Sequence, residues 1–412
     1  MSMAFAQTAA PAVPSRMLKA RNVVFFLAVM LMHWTLPRPA PADVLFIIVL
    51  YLSFLLNPKI NSKVLIFFML ILVWTISVFF SSIYVLYIPA VQFQLLAHSF
   101  VAMLGVTACL VAMSWDDRNF HTFMRVYLVT CCFVAFLGII GFAGNIDLFL
   151  WDGRAKALFD EPIAFGAFLL PGLFASLYLL SRGGRVVFPL IALGLCTLGA
   201  VLSFSRAVVF SLVVFVPVYF VIVNRRNLAR ASGYLLIAVA IVFVATALAF
   251  VSFDGFQAKV LDRMTLAKSY DAAPGGRFSR YLMSIPMILE NPLGLGMLEI
   301  NKYFSEPVHD IFISSFLNYG WLAGVIWLLL TVLSFKVALG NQRATHSPVA
   351  LWLSFSLLSQ LPTAILQQVE HWRHLWMFLG LLWGFNIRNF QTAEPSGRSP
   401  LRPMPQWQMQ RP

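Results

Sequence analysis

The segment VLIFFMLILVWTISVFFSS, residues 64–82, decides the fold class, because it runs for about a membrane thickness without one charged residue. An α-helix needs roughly 20 consecutive apolar residues to cross a bilayer. Similar runs recur along the 412 residues, which are 60% hydrophobic, 15% aromatic and only 11% charged. Soluble domains carry about 25% charged residues. The sequence therefore predicts an all-α, polytopic membrane protein, without the alternating pattern of a membrane β-barrel.

The apolar runs predict twelve membrane spans. They lie near residues 22–36, 43–56, 64–82, 91–113, 124–143, 162–180, 186–203, 207–223, 233–251, 310–335, 348–367 and 375–388. Alternation across the membrane then places most of the 29 Lys and Arg residues on the side that holds both termini. Because basic residues accumulate in cytoplasmic loops, we expect both termini to be cytoplasmic.

These spans divide the chain into five predicted parts. They are a cytoplasmic N-terminal tail (1–21), transmembrane helices 1–9 (22–251), a large periplasmic loop (252–309), transmembrane helices 10–12 (310–388) and a disordered cytoplasmic C-terminal tail (389–412). The net charge of +13 is spread as one to three residues between apolar runs, which excludes a nucleic-acid-binding patch. The four cysteines lie inside apolar runs, so neither disulfides nor a metal site is expected.

Polar chemistry concentrates in one stretch of the large loop and in the span after it. It reads GGRFSRYLMSIPMILENPLGLGM (275–297), followed after Leu298 by EINKYFSEPVHDIFISSFLNYGWLAG (299–324). Residues 278–290 have the spacing of an amphipathic helix, which Asn291-Pro292 ends. One reading places Arg277 and His309 around a cavity at the outer membrane face. The other has Arg277 reaching lipid headgroups and His309 capping a helix.

Arg206 is the second candidate functional residue, in the short connection Ser203-Phe204-Ser205-Arg206 between two apolar runs. An arginine at this depth is costly in contact with lipid, so it should point into the bundle or into a polar cavity. A guanidinium there suits a bidentate partner such as phosphate. The alternative is an ordinary arginine at a helix end.

Two further outer segments carry several polar side chains. The loop 144–161 contains Trp151, Arg154, Asp160 and Glu161, and such groups suit sugar hydroxyls and sugar faces. The turn 367–374 reads QQVEHWRH and either lines a site or simply connects two spans. The loop 144–161 is equally compatible with a solvated connection, so both segments remain open from the residues alone.

Four blocks in order resemble the O-antigen ligase and O-antigen polymerase superfamily of bacterial inner-membrane glycosyltransferases. They are RAKALFDEPIAFGAFLLPGLF from Arg154, LSFSRAVVFSLVV from Leu202, GGRFSRYLMSIPMILENPLGLGM from Gly275 and HDIFISSFLNYGWLAGVIWLLL from His309. The resemblance covers roughly residues 150–335. Three departures stand out: Asp310 replaces the usual Asn, Glu161-Pro162 replaces Pro-Asn, and Tyr281 replaces Trp. The Glu-Pro variant is closer to polymerases than to ligases.

The resemblance implies a metal-independent, inverting glycosyltransferase of GT-C-like fold, without a cofactor, in the bacterial inner membrane with its active site facing the periplasm. The donor would be a glycan on undecaprenyl diphosphate. A polymerase transfers it to another lipid-linked repeat unit, in O-antigen or exopolysaccharide biosynthesis, whereas a ligase transfers it to the lipid A core of lipopolysaccharide. Other implied partners are membrane lipids, a flippase and a chain-length regulator, but no nucleic acid.

The same resemblance suggests roles for individual residues. Arg206, Arg277 and His309 are the candidate catalytic residues, with the first two stabilising the diphosphate and His309 accepting the proton of the acceptor hydroxyl. Arg280 is a further diphosphate ligand. Residues expected to bind the acceptor or to support the site are Arg154, Asp160, Glu161, Asp310 and Tyr281, with Asp310 orienting the imidazole of His309.

A different class of protein, a lipid-linked oligosaccharide flippase or secondary transporter, is the rival hypothesis. Such proteins place charged groups near the bilayer midplane, often within inverted repeats. Here the span interiors hold few polar groups, such as His33 and His98, and no internal repeat is evident. The sequence therefore favours the glycosyltransferase.

Overall fold

The computed structural model describes residues 15–35, 39–182, 186–225 and 276–391, together with a few single residues between 232 and 240. Within these ranges the chain is a bundle of α-helices, which confirms the predicted all-α polytopic class. The helices are α1 (Ser15–Leu31), α2 (Pro41–Leu55), α3 (Ser62–Ser81), α4 (Pro89–Met113), α5 (Asp117–Ala143), α6 (Pro162–Ser181), α7 (Val187–Leu202), α8 (Arg206–Asn224), α9 (Arg277–Glu290), α10 (Ile311–Thr345), α11 (Pro348–Leu358), α12 (Leu361–Leu366), α13 (Arg373–Gly384) and α14 (Arg388–Gln391).

Short elements occupy the connections between these helices. Single 3₁₀ turns cover Ile83–Val85, Asp147–Phe149 and Glu299–Lys302. In the loop between α5 and α6, β1 (Leu150–Trp151) pairs antiparallel with β2 (Arg154–Ala155), so that Leu150 is opposite Ala155 and Trp151 is opposite Arg154. This small hairpin places Arg154 above the bundle on a defined backbone rather than on a solvated loop.

Seven helical segments in the described part of the chain are long and apolar enough to cross a membrane. They are Ser62–Ser81, Pro89–Met113, Asp117–Ala143, Pro162–Ser181, Arg206–Asn224, Ile311–Thr345 and Pro348–Leu366. Helices also lie in the other predicted spans, except that the predicted span 233–251 falls largely outside the described residues. The predicted tails lie mostly outside them too, as does 252–275 of the predicted loop.

Several predicted spans differ from the observed helices at their ends, and two later spans differ more. The span predicted at 310–335 continues to Thr345, and the span predicted at 348–367 is divided into α11 and α12. Pro362 lies in the first turn of α12. Because proline has no N–H to bond the preceding turn and its ring crowds that carbonyl, the helix ends at Leu358 and restarts after Gln360.

Small residues set a close helix contact between α4 and α13. A Cβ atom added to Gly380 would overlap the carbonyl oxygen of Gly105, and one added to Gly384 would overlap that of Cys109. The spacing of Gly380 and Gly384 is the small-xxx-small pattern that lets two helix backbones approach within a membrane. Helix α13 is short, but it lies almost wholly buried in the centre of the bundle.

The Asn-Pro-Leu-Gly-Leu-Gly loop after α9 fills a break in α10. Gly320 has φ of 84° and interrupts the helix there. The freed backbone groups bond to the loop instead: Leu295 N–H donates to Leu317 O at 2.8 Å, and Trp321 N–H donates to Pro292 O at 2.9 Å. A Cβ on Gly294 would lie 2.5 Å from the nitrogen of Gly320, so only glycine permits this approach.

Candidate active site

An open cleft of about 630 Å³ lies where the first turns of α6, α8 and α9 meet the loop before α10. Its walls include Arg154, Arg206, Arg277 and His309, together with Glu161. Residues that the sequence places far apart, on four different segments, therefore share one cavity. We call this cavity the arginine cleft.

Arg206 is held at the cleft by a sharp turn between α7 and α8. Phe204 has φ of 48°, a left-handed conformation that is uncommon for a residue with a side chain. The carbonyl of Ser203 accepts a hydrogen bond from Nε of Arg154 at 2.9 Å, and the side chain of Ser205 caps the N-terminus of α8. The turn thus links two of the three cleft arginines through backbone and side chain.

Arg277 occupies the first position of α9, after Gly276. The predicted amphipathic helix is confirmed, but its orientation is inverted relative to that in a soluble protein. Arg280 and Ser284 are buried against the protein, whereas Leu282 and Leu289 are 71% and 64% exposed. An apolar face turned outward suits a helix lying at a membrane surface. This orientation presents the polar side of the helix, including its arginines, to the bundle.

Arg280 does not line the arginine cleft. Its guanidinium is 3% exposed and donates to the carbonyls of Glu306 and Pro307 at 2.7 and 3.1 Å, with a further bond to the Glu306 carboxylate at 3.2 Å. The adjacent Tyr281 donates its hydroxyl proton to the carbonyl of His309 at 2.6 Å. Both residues therefore hold the backbone of 306–309, the segment that carries the histidine.

His309 is a neutral imidazole in this environment. Its pKa is lowered from 6.5 to about 4, first by burial and then by the positive charges of Arg277 and Arg280, which outweigh the carboxylates of Glu161 and Glu306. Its Nδ1 atom is buried and has no hydrogen-bond partner. A buried base near two arginines therefore remains unprotonated at neutral pH.

Asp310 does not orient that imidazole, contrary to the sequence-based expectation. Its Oδ1 atom accepts hydrogen bonds from the backbone N–H groups of Phe312 and Ile313, both at 2.8 Å, and so caps the N-terminus of α10. An aspartate is well suited to this position because its carboxylate satisfies donors that the helix cannot. The Asp310 carboxylate thus bonds to the backbone of α10, and Nδ1 of His309 has no hydrogen-bond partner.

Glu161 lies between the arginine cleft and a second, narrower pocket. Its carboxylate accepts a hydrogen bond from Nε2 of Gln367 at 2.8 Å and from Nε1 of Trp372 at 3.1 Å. Nε2 of His371 is 3.6 Å away. Asp160 lines only the second pocket, where its Oδ1 accepts a hydrogen bond from Thr35 at 2.9 Å. The polar turn 367–374 therefore contacts the site through Glu161.

The electrostatics of the cleft favour an anion with several oxygens. Three arginines line it, and α6, α8 and α9 begin beside it, so that the positive ends of their helix dipoles lie near it. The carboxylates of Asp152, Glu161 and Glu306 also line it. Carboxylates beside arginines match a ligand that combines phosphate with sugar hydroxyls.

Sequence reasoning did not identify three cleft residues. Glu306 lies within the long polar loop but matched no motif, and Gln367 lies in the polar turn whose role was left open. Thr363 is surrounded by apolar residues in α12, and no pattern in the sequence marks it. It lies in α12, just after the break that separates α12 from α11, and it lines the cleft.

The fold and cleft define a multi-pass α-helical membrane protein with an arginine-lined site where several helices begin. The model of the O-antigen ligase family (Wzy_C) matches residues 190–328, which include Arg206, Arg277 and His309. This match confirms the resemblance of the sequence blocks to the O-antigen ligase and polymerase superfamily. No curated protein matches the chain.

Proposed function

We propose that the protein transfers a glycan en bloc from undecaprenyl diphosphate to an acceptor sugar hydroxyl at the periplasmic face of the inner membrane. The observation that carries this proposal is the convergence of Arg206, Arg277 and His309 in one cleft. A lipid diphosphate needs fixed positive groups, and a sugar hydroxyl needs a proton acceptor. The cleft contains both.

The arginines act on the leaving group. Diphosphate leaves the anomeric carbon as its C–O bond breaks, and the charge that develops on the bridging oxygen is stabilised by the guanidinium groups of Arg206 and Arg277. Guanidinium forks bind phosphate oxygens bidentately, so no metal ion is required in this scheme. Arg154 donates a hydrogen bond to the Ser203 carbonyl and so stabilises the turn that positions Arg206.

His309 acts on the acceptor. The hydroxyl oxygen attacks the anomeric carbon from the face opposite the diphosphate, which inverts the configuration, while its proton passes to the imidazole. The low pKa of His309, about 4, keeps this base unprotonated in the empty cleft. Binding of the negatively charged diphosphate beside Arg277 offsets the positive field, so the donor itself raises the proton affinity of the histidine.

We favour a repeat-unit polymerase for O-antigen or exopolysaccharide, with the O-antigen ligase as the alternative. Glu161-Pro162 at the start of α6 resembles the polymerase variant, and Glu161 lines the cleft and the adjoining pocket. The ligase alternative is supported by the description of the family whose model matches residues 190–328.

A deletion strain tests both functions through its surface polysaccharide. A polymerase predicts that single repeat units remain on lipid A, or that high-mass exopolysaccharide disappears while single units persist. A ligase predicts loss of all glycan from lipid A with accumulation of long lipid-linked polymer. An unchanged profile on gels, with complementation as the control, would overturn the glycosyltransferase proposal.

A further inference from the structure

A groove opens between α10, α11 and α13 on the side of α12 away from the arginine cleft. Its walls include Phe312, Trp327, Phe335, Leu357 and Leu361. We call it the apolar groove. Along α10 its lining includes Phe312, before the break at Gly320, and then runs from Trp327 to Ala338, roughly 17 Å of continuous helix at 1.5 Å per residue. This continuous part is about as long as the hydrocarbon layer of one leaflet is thick, roughly 15 Å.

The polar groups of the groove are almost all used within the protein. The hydroxyls of Thr331 and Ser354 donate to carbonyls in their own helices at 2.9 and 2.7 Å. The hydroxyl of Ser334 accepts a hydrogen bond from Trp383 at 2.8 Å. As far as the described residues extend, no charged side chain lines the groove. The surface that remains is hydrocarbon, which selects a hydrocarbon ligand.

The apolar groove and the arginine cleft are separated by one short helix. In α12 and the residue after it, Thr363, Leu366 and Gln367 line the cleft, whereas Leu361 and Ala364 line the groove. The two cavities also lie close together near the start of α10, where Phe312 of the groove follows His309 of the cleft by three positions. A molecule whose polar head lies in the arginine cleft thus has the apolar groove on the other side of α12.

We propose that the apolar groove binds the prenyl chain of the lipid-linked donor while the diphosphate of the same molecule lies in the arginine cleft. This inference rests on the proposed function. A prenyl diphosphate fits better than a phospholipid because the groove adjoins a site suited to diphosphate. The donor then bends around α12, with its prenyl chain in the groove and its diphosphate in the cleft.

Photocrosslinking tests the occupant directly. A photoreactive phenylalanine analogue replaces Leu357 in the groove or, as control, Leu329, which is 43% exposed on α10 and does not line the groove. The protein is placed in lipid nanodiscs with undecaprenyl diphosphate. We expect the Leu357 position to label the prenyl chain and the Leu329 position to label phospholipid. Labelling of phospholipid alone at both positions would overturn the inference.

Filling the groove tests its use. Ser354→Phe adds bulk without removing a contact between helices, since the Ser354 hydroxyl bonds only within α11. We expect roughly tenfold weaker binding of undecaprenyl diphosphate, equivalent to losing about two buried methylene groups. Binding of farnesyl diphosphate, whose chain is short, and the control Leu329→Phe should be unchanged. If Ser354→Phe weakened the binding of both ligands equally, or of neither, the groove would not be the binding site of the prenyl chain. That conclusion would hold even if the deletion strain supported the glycosyltransferase.

Discussion

At the scale of single residues, Arg206, Arg277 and His309 each lie where a helix begins or is about to begin. Replacing Arg277 or Arg206 by alanine removes a fixed donor from the leaving group, and we expect the rate of glycan transfer to fall about 10²–10³-fold with normal protein levels. His309→Ala should abolish detectable product. Lys302→Ala is the control, because Lys302 is exposed and pairs with Glu299 outside the cleft. Near-normal product from Arg277→Ala would contradict the assignment.

The pKa of His309 makes a separate prediction about pH. Only the neutral imidazole accepts a proton, and with a pKa of about 4 it stays neutral as the pH falls from 7 to 5. We therefore expect the acid limb of kcat/KM, which reports the free enzyme, near pH 4. The acid limb of kcat should lie at higher pH, because bound diphosphate offsets the arginines. A kcat/KM limb near 6.5 would show that His309 is not the base.

Arg280 and Tyr281 are expected to act by positioning His309 rather than by touching the donor. Arg280→Ala leaves the carbonyls of Glu306 and Pro307 without their donor and should lower kcat strongly. Tyr281→Phe removes one hydrogen bond, worth about 0.5–1.5 kcal/mol, and should lower kcat by tenfold or less. In neither variant should the affinity for undecaprenyl diphosphate change. A large loss of affinity in Arg280→Ala would instead make it a diphosphate ligand.

At the scale of elements, the loop that contains Gly294 and Gly296 packs into the break in α10 at Gly320. We call this contact the glycine joint. The sequence predicted a tight turn at Gly294 and Gly296 and a helix after Asp310. It did not predict that the turn inserts into that helix at Gly320. Local patterns report backbone preference, whereas this contact depends on two backbones meeting with no side chain between them.

Gly294→Ala tests the glycine joint. The new Cβ would lie 2.5 Å from the nitrogen of Gly320 on a backbone with φ of 84°, so we expect destabilisation of about 2 kcal/mol or more. Thermal unfolding of the purified protein in detergent measures it. Gly340→Ala is the matched control, because nothing lies within 4 Å of its added Cβ and alanine favours the helix. Equal unfolding temperatures for the two variants would show that the glycine joint does not contribute to stability.

At the scale of the whole molecule, a buried ion pair connects the first part of the bundle to the last. Nε and Nη2 of Arg373, at the start of α13, donate to the carboxylate of Asp43 in α2 at 2.8 and 2.7 Å. Arg373→Ala leaves a buried charge unpaired, so we expect a loss of about 3–5 kcal/mol in the free energy of unfolding. The double variant Asp43→Leu, Arg373→Met should be more stable than Arg373→Ala. Additive losses in a double-mutant cycle would mean that the pair is not coupled.

The sequence by itself determined the all-α membrane class, the position of most spans and the amphipathic helix α9, because hydropathy and periodicity are properties of consecutive residues. It also indicated Arg206, Arg277 and His309, because charged and polar residues stand out in an apolar chain. Only the tertiary structure decided that these residues share a cleft, that Asp310 caps a helix, and that Arg280 holds a loop. Each of these outcomes depends on contacts between segments distant in sequence or on competition for one hydrogen-bonding group, which no local pattern contains.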